Sequence, residues 1–178
     1  MKNRIPFLLL LFFLFYKEGY SQSTGNRTVG VTIPVVTLLD VEPAGNINLI
    51  FTAPAEAGRP VVAPVVNTTK WINYTSAIVA GGVSRRVTAS VNQTIPGINI
   101  RLQAAAASGA GGGVLGTPSA QVTLSTAPVT IISGIGGAFT GNGTNNGHLL
   151  SISLVTNNYA NLSAITAVPV TITYTITE

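Results

Sequence analysis

The stretch that decides the fold is the last one, Val168-Pro169-Val170-Thr171-Ile172-Thr173-Tyr174-Thr175-Ile176-Thr177. Val168, Val170, Ile172, Tyr174 and Ile176 alternate with Pro169, Thr171, Thr173, Thr175 and Thr177. A strand sends successive side chains to opposite faces, so one face here is apolar and the other a row of threonines. Pro169 fits the entry to a strand or an edge.

The same period of two recurs upstream. Thr28 to Leu39 alternates through Val29, Val31, Ile33 and Val35, interrupted at Pro34. Asn46 to Thr52, Lys70 to Ile78, Arg86 to Asn92, Gly97 to Ala104, Ala120 to Ser125, Val129 to Ile132 and His148 to Val155 follow. About nine short strands separated by turn signals predict an all-β chain, an antiparallel immunoglobulin-like sandwich of about seven to nine strands. Helix has little support. Gln103 to Ala107 is rich in alanine, but it is too short to stand alone and runs into Ser108-Gly109. Ala53 to Val66, Ser108 to Pro118 and Gly134 to Gly147 read as loops, on their proline and glycine content.

The first residues read as an address. Lys2 and Arg4 precede an apolar run from Ile5 to Phe15, and Gly19-Tyr20-Ser21 supplies small residues at a cleavage position. Residues 1–21 are therefore expected to be a signal peptide, with Gln22 opening the mature chain. The run is shorter than the roughly 20 residues that cross a bilayer. Residues 22–178 then make one domain, with 22–39 as a candidate N-terminal donor strand. The chain has no cysteine, so packing and ladder hydrogen bonds must stabilise it without disulfides.

Charge is sparse. Beyond residue 21 the bases are Arg27, Arg59, Lys70, Arg85, Arg86 and Arg101, and the acids are Asp40, Glu42, Glu56 and Glu178. Six against four leaves a balance of +2. Nucleic-acid binders cluster Lys and Arg along one face, and here only Arg85-Arg86 are adjacent. No nucleic-acid partner is expected.

Catalysis finds few residues to use. Asp40 and Glu42 point to one face of an extended chain, but a solvated strand end before Pro43 explains them as well. His148 is the single histidine, and with no cysteine it lacks partners for a metal site. No serine sits in a G-x-S-x-G elbow. The glycine run from Gly109 to Gly116 lacks the Lys-Ser/Thr of a phosphate loop. No catalytic residue, metal or cofactor is expected. Trp71 with Tyr74 would make a glycan-stacking pair if both were exposed, and Trp71 would be core if the sandwich closes over it. The row Thr171, Thr173, Thr175 and Thr177 is accounted for by the preference of threonine for exposed strand faces.

The leader, the alternating N-terminal segment, the tryptophan strand Trp71-Ile72-Asn73-Tyr74-Thr75 and the closing Val170 to Thr177 together resemble the pilin-type sandwiches of the chaperone–usher system, particularly the spore-coat-protein-U-like secreted subunits. Those subunits also end on a strand of the form V-T-V-T-Y. The chain lacks the cysteine pair that many of them possess. The resemblance implies an exported structural or adhesive subunit of a bacterial envelope, in the periplasm, at the surface or outside the cell. It implies self-association, or association with other envelope subunits, by β-strand addition. Thr28 to Val36 would be the donor, with Val29, Val31, Ile33 and Val35 as plugs, and the final strand would border the acceptor groove. Thr28 to Val36 reads equally well as the first strand of a self-contained sandwich. A secreted carbohydrate-binding module built on Trp71 and Tyr74, with a glycan as partner, is the alternative function.

Overall fold

A computed structural model describes residues 24–178. The expected signal peptide lies outside the described residues. The chain divides into two units, residues 1–33 and Pro34–Glu178. In the first unit the described residues, 24–33, form no regular element.

The second unit is all-β. Its strands are β1 (Val36–Glu42), β2 (Asn67–Ala77), β3 (Arg85–Val91), β4 (Ile98–Ala104), β5 (Gly112–Pro118), β6 (Val122–Thr123), β7 (Val129–Phe139), β8 (His148–Thr156) and β9 (Ile172–Thr177). A single 3₁₀ turn, Tyr159–Asn161, is the one helical piece among the described residues. Every pairing is antiparallel. The path through the sheet runs β6-β4-β8-β2-β7-β3-β9, with β1 added to β2 and β5 to β7.

The registers explain this order. β2 pairs with β8 through Ile72↔His148, and then with β7 through Thr75↔Phe139 and Ser76↔Ala138. Beyond the end of β2, β3 takes over the same side of β7, starting at Arg85↔Ile135. Three long antiparallel lines result, β2 with β3, β7 with β8, and β4 with β5, each interrupted by a loop. Residues 78–84, 140–147 and 105–111 are those interruptions; 105–111 and 140–147 lie side by side, joined at the Ser108–Gly147 bridge, and 78–84 leaves its line opposite residues 136–137 of β7. The sheet folds over there. Its far ends are tied where the Leu124 N–H donates to Ile100 O (2.8 Å) and the Val91 N–H donates to Ser125 O (2.9 Å). Both halves feed one core. Ile72, Leu102 and Leu150 come from one half, and Val87, Ile131, Ile132 and Ile135 from the other, all at 0% exposure.

Several elements differ from the sequence reading. The first strand starts at Val36 and ends at Glu42, so the alternation of residues 28–35 lies before it. Asn46–Thr52 forms no strand; Thr52 makes only an isolated bridge to Val62. Gln103 and Ala104 end β4, and no helical turn forms there. Gly112–Pro118 is a strand instead of a loop, and β7 continues through Gly134 to Phe139. The reason lies in the glycines. Gly113 holds φ +87°, and a Cβ there would sit 2.2 Å from the Gly137 carbonyl oxygen. Only glycine lets the two backbones approach this closely at the irregularity between Gly113 and Leu115.

Two substitutions separate close approach from composition. Gly113→Ala combines a left-handed φ with a backbone collision, and should cost at least about 2 kcal/mol in urea unfolding. Gly137→Ala, where an added Cβ meets nothing within 4 Å, should stay within about 0.5 kcal/mol of wild type. Equal losses at both sites would refute the account of β5.

Candidate functional site

β1 and β9 define one side of the molecule. Each is paired along one edge only, β1 with β2 over seven residue pairs and β9 with β3 over six. Both add to the same side of the β2–β3 line and run in the same direction. Among the described residues, no strand pairs with the other edge of either one. An unpaired edge presents N–H and C=O groups to any strand that can reach it.

The core is incomplete on this side. Ile172, Tyr174 and Ile176 of β9, and Leu39 and Val41 of β1, pack on the buried cluster but are only half-buried themselves. Thr171, Thr173, Thr175 and Thr177 face solvent. Leu38 is 64% exposed on the opposite face of β1.

Two buried cations fix the ends of β1. At its start the Arg85 guanidinium donates through Nη1 to the Val36 carbonyl and to Ser76 Oγ, the latter at 3.0 Å. Past its end Lys70 Nζ donates to the Pro43 carbonyl and, at 2.6 Å, to that of Gly45. Arg85 is 3% exposed and Lys70 8%. Among the described residues neither has a carboxylate partner. The only ion pair among the described residues is the exposed Arg59–Glu56 contact. Carbonyl dipoles therefore solvate both charges, and the bonds they make hold an edge strand in place.

The plug candidates lie open. Val29, Val31 and Ile33 are 80%, 78% and 80% exposed, and Val35 is 58% exposed. Pro34 and Val35 are irregular too, so no part of residues 28–35 belongs to a strand. Trp71 and Tyr74 do not share a face. Trp71 is half-buried beside Glu42 and Leu149, its partners across the sheet. Tyr74 points into the core at 3% exposure. Asp40 is exposed, and one of its carboxylate oxygens accepts the Val41 N–H at 2.7 Å. No group of three or more His, Cys, Asp and Glu side chains is placed to hold a metal among the described residues.

His148, the single histidine, is fully buried at the start of β8. Its Nδ1 lies 2.8 Å from the Ala105 carbonyl oxygen, which can only accept, so Nδ1 carries a proton. Its Nε2 lies 2.9 Å from the Tyr74 hydroxyl, and that hydroxyl also meets the Leu115 carbonyl. The neutral ring thus offers a lone pair to a hydroxyl whose single proton is shared between two acceptors. Burial lowers the His148 pKa from 6.5, opposed by the two nearby backbone carbonyls, and burial raises that of Tyr74. Sequence alone could not find this group, because β2, β5, β8 and the loop after β4 meet there only in the fold.

No family, curated protein or solved structure matches the chain.

The histidine fixes a pH dependence. The folded state holds it neutral, whereas the unfolded chain takes up a proton below about pH 6.5. Stability should therefore be level between about pH 7 and 9, below the range where the unfolded chain's tyrosines ionise, and fall as pH drops from 7 towards 5, by up to about 1.4 kcal/mol per unit. Denaturant titrations of His148→Gln should show a flatter slope over this window, whatever their absolute stability. An unchanged slope would show that His148 does not set it.

Proposed function

We propose that this chain is an exported, non-catalytic structural or adhesive subunit of the cell surface. Copies join by strand addition, residues 28–35 of one lying along the open β1/β9 side of the next. The carrying observation is a pair of complementary deficits. One segment exposes four alternating aliphatic side chains and belongs to no strand. One side of the sandwich has unpaired edges over half-buried aliphatics. Large exposed apolar rows are rare in monomers and mark sites of association. Export is supported by the leader pattern of residues 1–21.

Magnitudes say what kind of assembly to expect. Burying Val29, Val31, Ile33 and Val35 is worth about 1.5–3 kcal/mol each, so about 6–12 kcal/mol in all. Association costs about 4–15 kcal/mol in lost freedom. The two nearly cancel, and ladder hydrogen bonds at about 0.5–1.5 kcal/mol each tip the balance. Assembly should depend on concentration and fail when a plug becomes charged.

Size-exclusion chromatography with light scattering, over a wide concentration range, tests this. The mature chain should give a ladder of oligomers. The double variant Val31→Asp, Ile33→Asp should run as a monomer with an unchanged β-type far-ultraviolet spectrum. A monomer at every concentration, or a ladder that survives both substitutions, would overturn the proposal.

A further inference from the structure

Asn46–Phe51 has the alternation of a strand without being one. Ile47, Leu49 and Phe51 are half-buried, while Asn46, Asn48 and Ile50 are exposed. Ile47 and Leu49 pack on the same core as Leu39 and Val41 of β1 and Ile172, Tyr174 and Ile176 of β9. Yet no backbone hydrogen bond among the described residues ties Asn46–Phe51 to a neighbouring strand. The segment follows directly from β1, and Lys70 grips its root through the Pro43 and Gly45 carbonyls. Downstream it is secured at the Thr52–Val62 bridge, whose two N–H···O bonds are 3.0 Å long. The stretch is thus fixed at both ends and attached between them by side chains alone.

We infer that Asn46–Phe51 is an internal plug. It shields the incomplete core of a lone subunit and gives way when a neighbour's residues 28–35 arrive. This rests on the strand-addition reading above. The incoming segment offers the same spacing of apolar side chains and could also form the ladder bonds that the plug does not make. A backbone stretch without ladder bonds opens at low free-energy cost, so the exchange needs no unfolding of the sheet. The plug lowers the apparent affinity of the side it covers by the fraction of time the site is covered. Subunits would then stay soluble before assembly, and assembly would proceed only where donors are concentrated.

The test uses the full mature chain carrying Val31→Asp and Ile33→Asp, so that copies do not pair, and a synthetic peptide of residues 27–36 as probe. Adding the peptide should raise the hydroxyl-radical labelling of the Ile47, Leu49 and Phe51 side chains, which are half-buried in the lone subunit. Adding Ile47→Ser and Leu49→Ser should tighten peptide binding about tenfold, as expected if the plug covers the site about nine-tenths of the time. The labelling measurement needs no change in the plug, so it stands even if the Ser variant folds poorly. If the peptide binds but labelling at these side chains is unchanged and the Ser variant binds no tighter, the plug is refuted and strand addition stands. If the peptide binds neither protein, strand addition fails and the plug fails with it.

Discussion

The fold turns on the register of β2. Its first half is committed to β8, and its last residues to β7. One strand thus belongs to both halves of the folded sheet, and the two halves cannot separate without breaking it. The side chains that β2 turns inwards, Ile72 and Tyr74, are at the centre of the core. A slip of one residue would turn both to the other face of the strand and put Trp71 and the Asn73 amide in their place in the apolar core, so the register is strongly specified. The positions of β1 on one edge and of the His148 ring beside Tyr74 both follow from it.

Much of this was legible in the chain. Wherever one face of a strand is buried and the other wet, the alternation is clean, and β9 is the clearest case. Legibility fails where backbone geometry replaces side-chain pattern. β5 is invisible to propensity because its glycines serve close approach. Asn46–Thr52 misleads in the opposite sense, since its alternation is real but its backbone finds no ladder. For the same reason the first strand was readable in kind but not in position. The apolar period runs from Val29 to Val35, interrupted at Pro34, whereas pairing starts at Val36. Pro34, which has no N–H to give a ladder, stands two residues before that boundary.

The charged and polar residues show what composition hides. With so few ionisable groups, a reader expects all of them at the surface. Lys70, Arg85 and His148 are instead buried, and each is held by backbone carbonyls. Arg85 and Lys70 grip the two ends of the strand that borders the unpaired side, and His148 joins β8 to β2 and to the loop after β4. Cations satisfied by backbone carbonyls need no acidic partner in the sequence, so no pattern of paired charges announces them. The Asn73 amide shows a smaller version of the effect. Its nitrogen donates to the Asn146 carbonyl at 2.7 Å, while its oxygen is buried without a protein partner.

The direction of β1 has a mechanical consequence. Its seven register pairs with β2 lie across the strand axis, and its first residue is the one nearest the N-terminal segment. Tension entering through that segment would act along the strand, so all the rungs would be loaded together in shear instead of being peeled off one at a time. The lysine grip just beyond Glu42 lies at the far end of that line and would act as its anchor.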